Sequence, residues 1–128
     1  MIAAGIGCRA GASASEVMAA IEAALKAHKL ELAAVSVLAT VRRKQFENGI
    51  IIAGGTLNLP VILVDAEGID DVSGRVLSHS GKSMAVAGTP SVSEAAALAA
   101  AGKGSRLLGP RIAVGPATCA LAIGGEGA

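Results

Sequence analysis

Apolar residues in this chain come in short blocks separated by glycines and small polar clusters, and the spacing within each block predicts its backbone. Residues 2–6 form a continuous apolar run, the pattern of a strand covered on both faces. The run breaks into Gly5, Gly7 and Gly11 around Cys8 and Arg9. Ser13 followed by Glu16 then matches a capping box, which starts a helix. Val17, Ile21, Leu25 and His28 recur at helical intervals with Ala24 in the same stripe, while Glu22, Lys26 and Lys29 fall outside it. Residues 33–40 are again continuous and apolar, so the first third of the chain predicts a strand, a helix and a second parallel strand.

Residues 44–57 fit two patterns. Gly49-Ile50-Ile51-Ile52-Ala53 looks like a strand locally, but Lys44, Glu47, Ile51 and the Gly54-Gly55 pair suit a helix that ends in glycine, and a helix is the reading adopted. Pro60 introduces a compact third strand, 61–64, ending at Asp65. Residues 66–82 are polar and glycine-interrupted, a pattern of short helical turns and loop suited to covering a site. Order resumes with a second capping box, Ser91 to Glu94, and an alanine-rich helix that stops at Gly102. Residues 105–114 and 117–123, separated by Gly115-Pro116, read as a closing antiparallel hairpin. The expected fold is α/β: one domain over residues 1–128, three layers α/β/α, with a mixed, mostly parallel sheet and a C-terminal hairpin.

A length of 128 residues is enough for a core without staples, and Cys8 and Cys119 lie too far apart in sequence, with no CxxC or Cys/His cluster, to suggest a structural zinc. Both are read as reduced thiols of a cytoplasmic protein. Neither an export signal nor a membrane span is predicted, because no basic leader region and no long uncharged apolar run occurs. A net charge of +1 lacks the footprint of a nucleic-acid binder. With Phe46 as the sole aromatic residue, a flat ligand must be held by aliphatic surface, backbone groups and point charges.

The strongest candidate site is the glycine turn itself. Glycines allow close approach to the backbone, and the amino end of the following helix carries partial positive charge, so Gly5, Gly7, Cys8, Arg9 and Gly11 form a candidate anion site. Its spacing, Gly5-x-Gly7-x-x-x-Gly11, misses the dinucleotide fingerprint by one residue, although Arg42 and Arg43 after the second strand would suit a phosphorylated ribose. Gly81-Lys82-Ser83 lacks the earlier glycine of a P-loop, because Val76 stands there, and reads as an exposed turn. Ser78-His79-Ser80 offers a base beside a hydroxyl with nothing in sequence to orient it. A helix amino end and Arg9 would favour the Cys8 thiolate, whereas Cys119 reads as packing. Asp65 and Thr40 end parallel strands, on the edge where such sheets place ligands.

Taken together, Gly5-Ile6-Gly7-Cys8-Arg9 with Gly11, then Thr40, Lys44 and Glu47, Ser80, Gly88, and Ser91-Val92 with Glu94-Ala95-Ala96-Ala97-Leu98, closing with residues 118–122, resemble the CobE proteins of cobalamin biosynthesis and the C-terminal domain of CbiG. The resemblance implies a three-layer domain acting in corrin-ring synthesis. It also implies ligand-binding positions at Gly5, Gly7, Cys8, Arg9, Gly11, Thr40, Lys44, Glu47, Ser80, Gly88, Ser91 and Glu94, with a precorrin or other corrinoid intermediate as ligand. Complete CbiG resembles a hydrolase that opens a ring lactone of a cobalt-precorrin and releases acetaldehyde, and its large N-terminal region has no counterpart here. The chain departs from the family pattern at Gly109-Pro110-Arg111, where a proline-lysine pair is expected, and at Pro116-Ala117, where a glycine-asparagine pair is. The resulting expectation is a cytoplasmic protein that binds and shelters the intermediate with no cofactor of its own. Catalysis on the same ring and docking onto other pathway enzymes are the alternatives, and the oligomeric state is left open.

Overall fold

The computed structural model describes residues 1–8, 11–41, 48–65, 67–68, 72, 92–102 and 104–124. The elements are β1 (Ile2–Cys8), α1 (Ala14–Ala27), a 3-10 turn (Leu32–Ala34), β2 (Val35–Val41), α2 (Asn48–Leu57) and β3 (Val61–Val64), followed by α3 (Val92–Ala101), β4 (Arg106–Leu107), β5 (Ile112–Val114) and β6 (Ala117–Ile123). One mixed sheet has the order β3-β2-β1-β6-β4, with β5 also paired to β6. The β1–β2 and β2–β3 pairs are parallel, and β6 is antiparallel to β1, β4 and β5. The α/β class is therefore as expected. The longest ladder is the antiparallel one, which pairs every residue of β1 from Ile2 with Ile123 to Cys8 with Ala117.

Side-chain alternation on β1 sorts the helices into two outer layers. Ala4 and Ile6 point with Leu38, Cys119 and Leu121 toward one face, where Val17, Ala20, Ile21, Ala24 and Leu25 of α1 and Ile50 and Ala53 of α2 close the main core. On the other face α3 presents Ala95, Ala97 and Leu98 to Ala122, and Ala96 to Ala39 and Val64. The stripe expected for α1 is the buried one, and the alanines of α3 let that helix lie close on the strands.

Three boundaries differ from expectation. The second strand begins at Val35, because the Ala34 N–H turns back to the Glu31 carbonyl in the 3-10 turn. α2 runs through Gly54-Gly55 and ends at Leu57, with Asn58 taking the left-handed conformation (φ 58°) that terminates it and the Leu59 N–H donating to the Gly54 carbonyl. The expected strand over 105–114 is split into β4 and β5. Pro110 has no N–H to give a ladder, and Gly109 lies against the His28 ring, where a Cβ would come within 2.8 Å of Cε1.

Candidate functional site

β1 lies inside the sheet, and three helices bring their amino ends to its carboxyl end. α1 starts just beyond the turn that leaves β1. Its capping box is complete: Ser13 Oγ accepts the Glu16 N–H at 3.1 Å, and Glu16 Oε1 accepts the Ser13 N–H at 2.9 Å. These bonds leave the Ala14 and Ser15 N–H groups with no acceptor inside the helix. α2 starts against the same turn, since a Cβ on Gly49 would collide with the Ala12 carbonyl oxygen and lie 3.0 Å from the Ser13 carbonyl carbon. α3 covers the opposite face and runs antiparallel to β1: Gly5 sits against Ser93 and Ala97, and Gly7, one pleat further on, sits against Ser93 and Thr118. The described start of α3 therefore lies at the same end of β1 as the starts of α1 and α2. Partial positive charge gathers there from both sides of the sheet.

The glycines at this end serve two purposes. Gly11 takes a φ of 84°, the left-handed turn conformation that favours glycine, with open space around the side it lacks. Gly5 does not admit a ligand. A Cβ there would collide with the Ser93 carbonyl oxygen and stand 2.6 Å from the Ala97 nitrogen, so the missing side chain makes room for the backbone of α3. Gly7 lies beneath the Thr118 hydroxyl, which donates to the Gly7 carbonyl at 3.3 Å.

Two other expected ligand contacts are spent within the protein. Thr40 is fully buried, and its Oγ1 donates to the Ile6 carbonyl at 2.8 Å, a bond that takes over where the β1–β2 ladder ends at Gly5 and Ala39. Thr40 and Thr118 thus hold successive carbonyls of β1 from its two neighbours. Glu94 is also fully buried, and its Oε2 accepts the Arg111 N–H at 2.8 Å, tying the first turn of α3 to the start of β5. Neither tie is predicted by the sequence pattern, because both join residues distant in the chain.

Cys8 is half-buried at the end of β1, opposite Ala117. Cys119 is fully buried, and burial pushes its thiol up to about 12, so it is the packing residue expected. Asp65 is exposed beyond β3, with its Oδ1 accepting the Gly68 N–H at 2.9 Å. Arg9, Lys44, Glu47, Ser80, Gly88 and Ser91 lie outside the described residues, as do His79 and most of the segment expected to cover the site. Among the described residues no group of three metal-binding side chains occurs, and no helix is long and apolar enough to cross a membrane.

The family described as cobalamin synthesis G, C-terminus, matches residues 2–122. By structure, the chain is similar to CobE, a protein from the cobalamin (vitamin B12) biosynthetic pathway, with a TM-score of 0.86 and 37% identity over 95% of this chain and 89% of that one. It is also similar to the cobalamin biosynthesis protein chiG from Agrobacterium tumefaciens str. C58, with a TM-score of 0.79 and 41% identity over 98% of this chain and 100% of that one. A third likeness, to a cobalamin biosynthesis protein G homolog from Sulfolobus solfataricus, has a TM-score of 0.73 and covers 96% of this chain but 36% of that one; at 24% identity it speaks for the fold alone. No curated protein matches the chain.

Proposed function

The chain belongs to the cobalamin synthesis G C-terminal family and is a protein of the cobalamin biosynthesis pathway, and from that premise we propose that it binds a precorrin or other corrinoid intermediate at the carboxyl end of β1 and shelters it without turnover. The observation that carries this reading is the convergence of three helix amino ends on that one strand end. Corrin-ring intermediates are broad, flat and edged with acetate and propionate carboxylates. Such a ligand calls for positive potential spread over a wide surface, which the amino ends of α1, α2 and α3 supply from both faces of the sheet. Arg9, beside Cys8 in sequence, would add a charge-assisted hydrogen bond, and Lys44 a second cation.

The binding reading is supported by two carboxylates, Glu94 and Asp65, that are already engaged within the protein. Opening a lactone needs a base within reach of an attacking water. Glu94 is buried on the Arg111 N–H, and Asp65 caps the turn at Gly68. On this reading the chain is a carrier or shelter that hands the ring to other pathway enzymes.

Titration with late pathway corrinoids, followed in the visible spectrum, tests the reading directly, and a chain without Trp or Tyr adds little absorbance of its own. Saturable spectral change is expected, and Arg9→Ala should weaken it by about 1.5–3 kcal/mol with folding unaffected. Incubation with a ring-A lactone intermediate should release no aldehyde. Aldehyde formed over many turnovers would replace the shelter with an enzyme, and no spectral change with any intermediate would replace it with a docking module.

A further inference from the structure

A groove of about 1080 Å³ runs along the outer side of α1 from Ser15 in its first turn and continues onto residues 29–32 and Leu57 of α2. Its floor is apolar, with Met18, Ala19 and Leu30 among its residues, and Leu32 at its end is 37% exposed. Its rim carries Glu22, Lys26, Lys29 and Glu31, two charges of each sign, and among the described residues neither Glu22 nor Lys26 takes part in an ion pair. We propose that this face joins two copies of the chain through antiparallel packing of α1 on α1.

Charge order selects the occupant. An isologous pair requires a surface complementary to itself under a two-fold axis. Glu22 and Lys26 lie one turn apart on the same side of α1, so an axis midway between them sets each Glu22 against Lys26 of the second copy. The same register brings Lys29 and Leu30, just past the end of α1, toward Ala19 and Met18 of the other copy. There Ala19, a small residue of the stripe, leaves room for the long Lys29 side chain. A corrinoid edged with carboxylates finds no such match, because the acidic members of the rim cancel the basic ones. α1 spans about 21 Å over its 14 residues, so two such faces bring a long seam together rather than a point.

Sedimentation over a concentration series into the millimolar range tests the proposal on the whole chain. The expected particle has twice the 12.4 kDa mass. Glu22→Lys alone and Lys26→Glu alone should each weaken association about tenfold or more, since the two-fold axis repeats every like-charge contact. The double variant E22K/K26E should restore it. Ala19→Glu should give the monomer, with the far-UV spectrum of each variant showing the fold intact. A monomer throughout the series overturns the proposal, and so does a dimer indifferent to the charge swaps. Corrinoid binding is read separately by titration, so loss of the dimer leaves the ligand site testable by itself.

Discussion

Gly5 and Cys119 show how single positions are fixed by what lies across the sheet from them. Gly5→Ala has to displace the backbone of α3, because the added carbon meets the Ser93 carbonyl oxygen rather than a flexible side chain. A loss of about 1–3 kcal/mol in denaturant unfolding is expected, with the whole of α3 bearing the shift. Cys119 titrates in the opposite environment to a reactive thiol. Burial holds its folded pKa near 12 against an ordinary value of 9.0, so the neutral thiol contributes fully below about pH 9. Between those two values the unfolded chain gives up the proton and the folded one keeps it, and stability should fall by about 1.4 kcal/mol per pH unit. Comparing urea unfolding from pH 8 to pH 10 with that of Cys119→Ala isolates the effect, because the variant lacks this part of the slope. Alkylation of the native protein should label Cys8 and spare Cys119 until the chain unfolds.

Among the elements, α3 and β5 are joined by one buried carboxylate. Glu94→Ala leaves the Arg111 N–H without its acceptor and opens a void, which should cost about 1–3 kcal/mol, whereas Glu94→Gln keeps an acceptor and should cost less. If Glu94 acts by placing the start of α3, the alanine variant also weakens corrinoid binding, and the glutamine variant recovers most of it. Thermal melts beside spectral titrations separate the two outcomes. The sequence pattern was legible at this scale wherever an element is decided locally. Ser13 and Glu16 cap α1 by bonds spanning three residues, and the stripe from Val17 to Leu25 needs nothing beyond helical periodicity. Where two local signals compete it was not legible: Gly54 and Gly55 look like a helix end, yet Gly54 serves packing against Val61, whose Cγ2 would be 2.6 Å from a Cβ, and the left-handed Asn58 ends the helix.

For the molecule as a whole, the proposed site depends on helix amino ends brought to one strand end, so its affinity is electrostatic in origin. Corrinoid binding should therefore weaken as salt rises from low to physiological ionic strength, where the screening length shortens to about 8 Å. Titration in a salt series checks this. Affinity independent of salt would mean that apolar contact with the ring face carries the binding.

Local chemistry in the sequence determined the α/β class, the first parallel pair of strands, the face that α1 buries and the position of the glycine turn, because caps and periodicity act within a few residues. Only the tertiary structure decided what each small or polar residue at that turn is for. Gly5 serves the packing of α3, Thr40 and Thr118 hold β1, and Glu94 holds β5, since each answers to an atom brought close by the sheet order. The insertion of β6 beside β1 joins the end of the chain to its beginning, with Thr118 bonded to a carbonyl 111 residues earlier. A pairing over that separation rests on the collective burial of both faces of the sheet, a property that no short stretch of the chain contains.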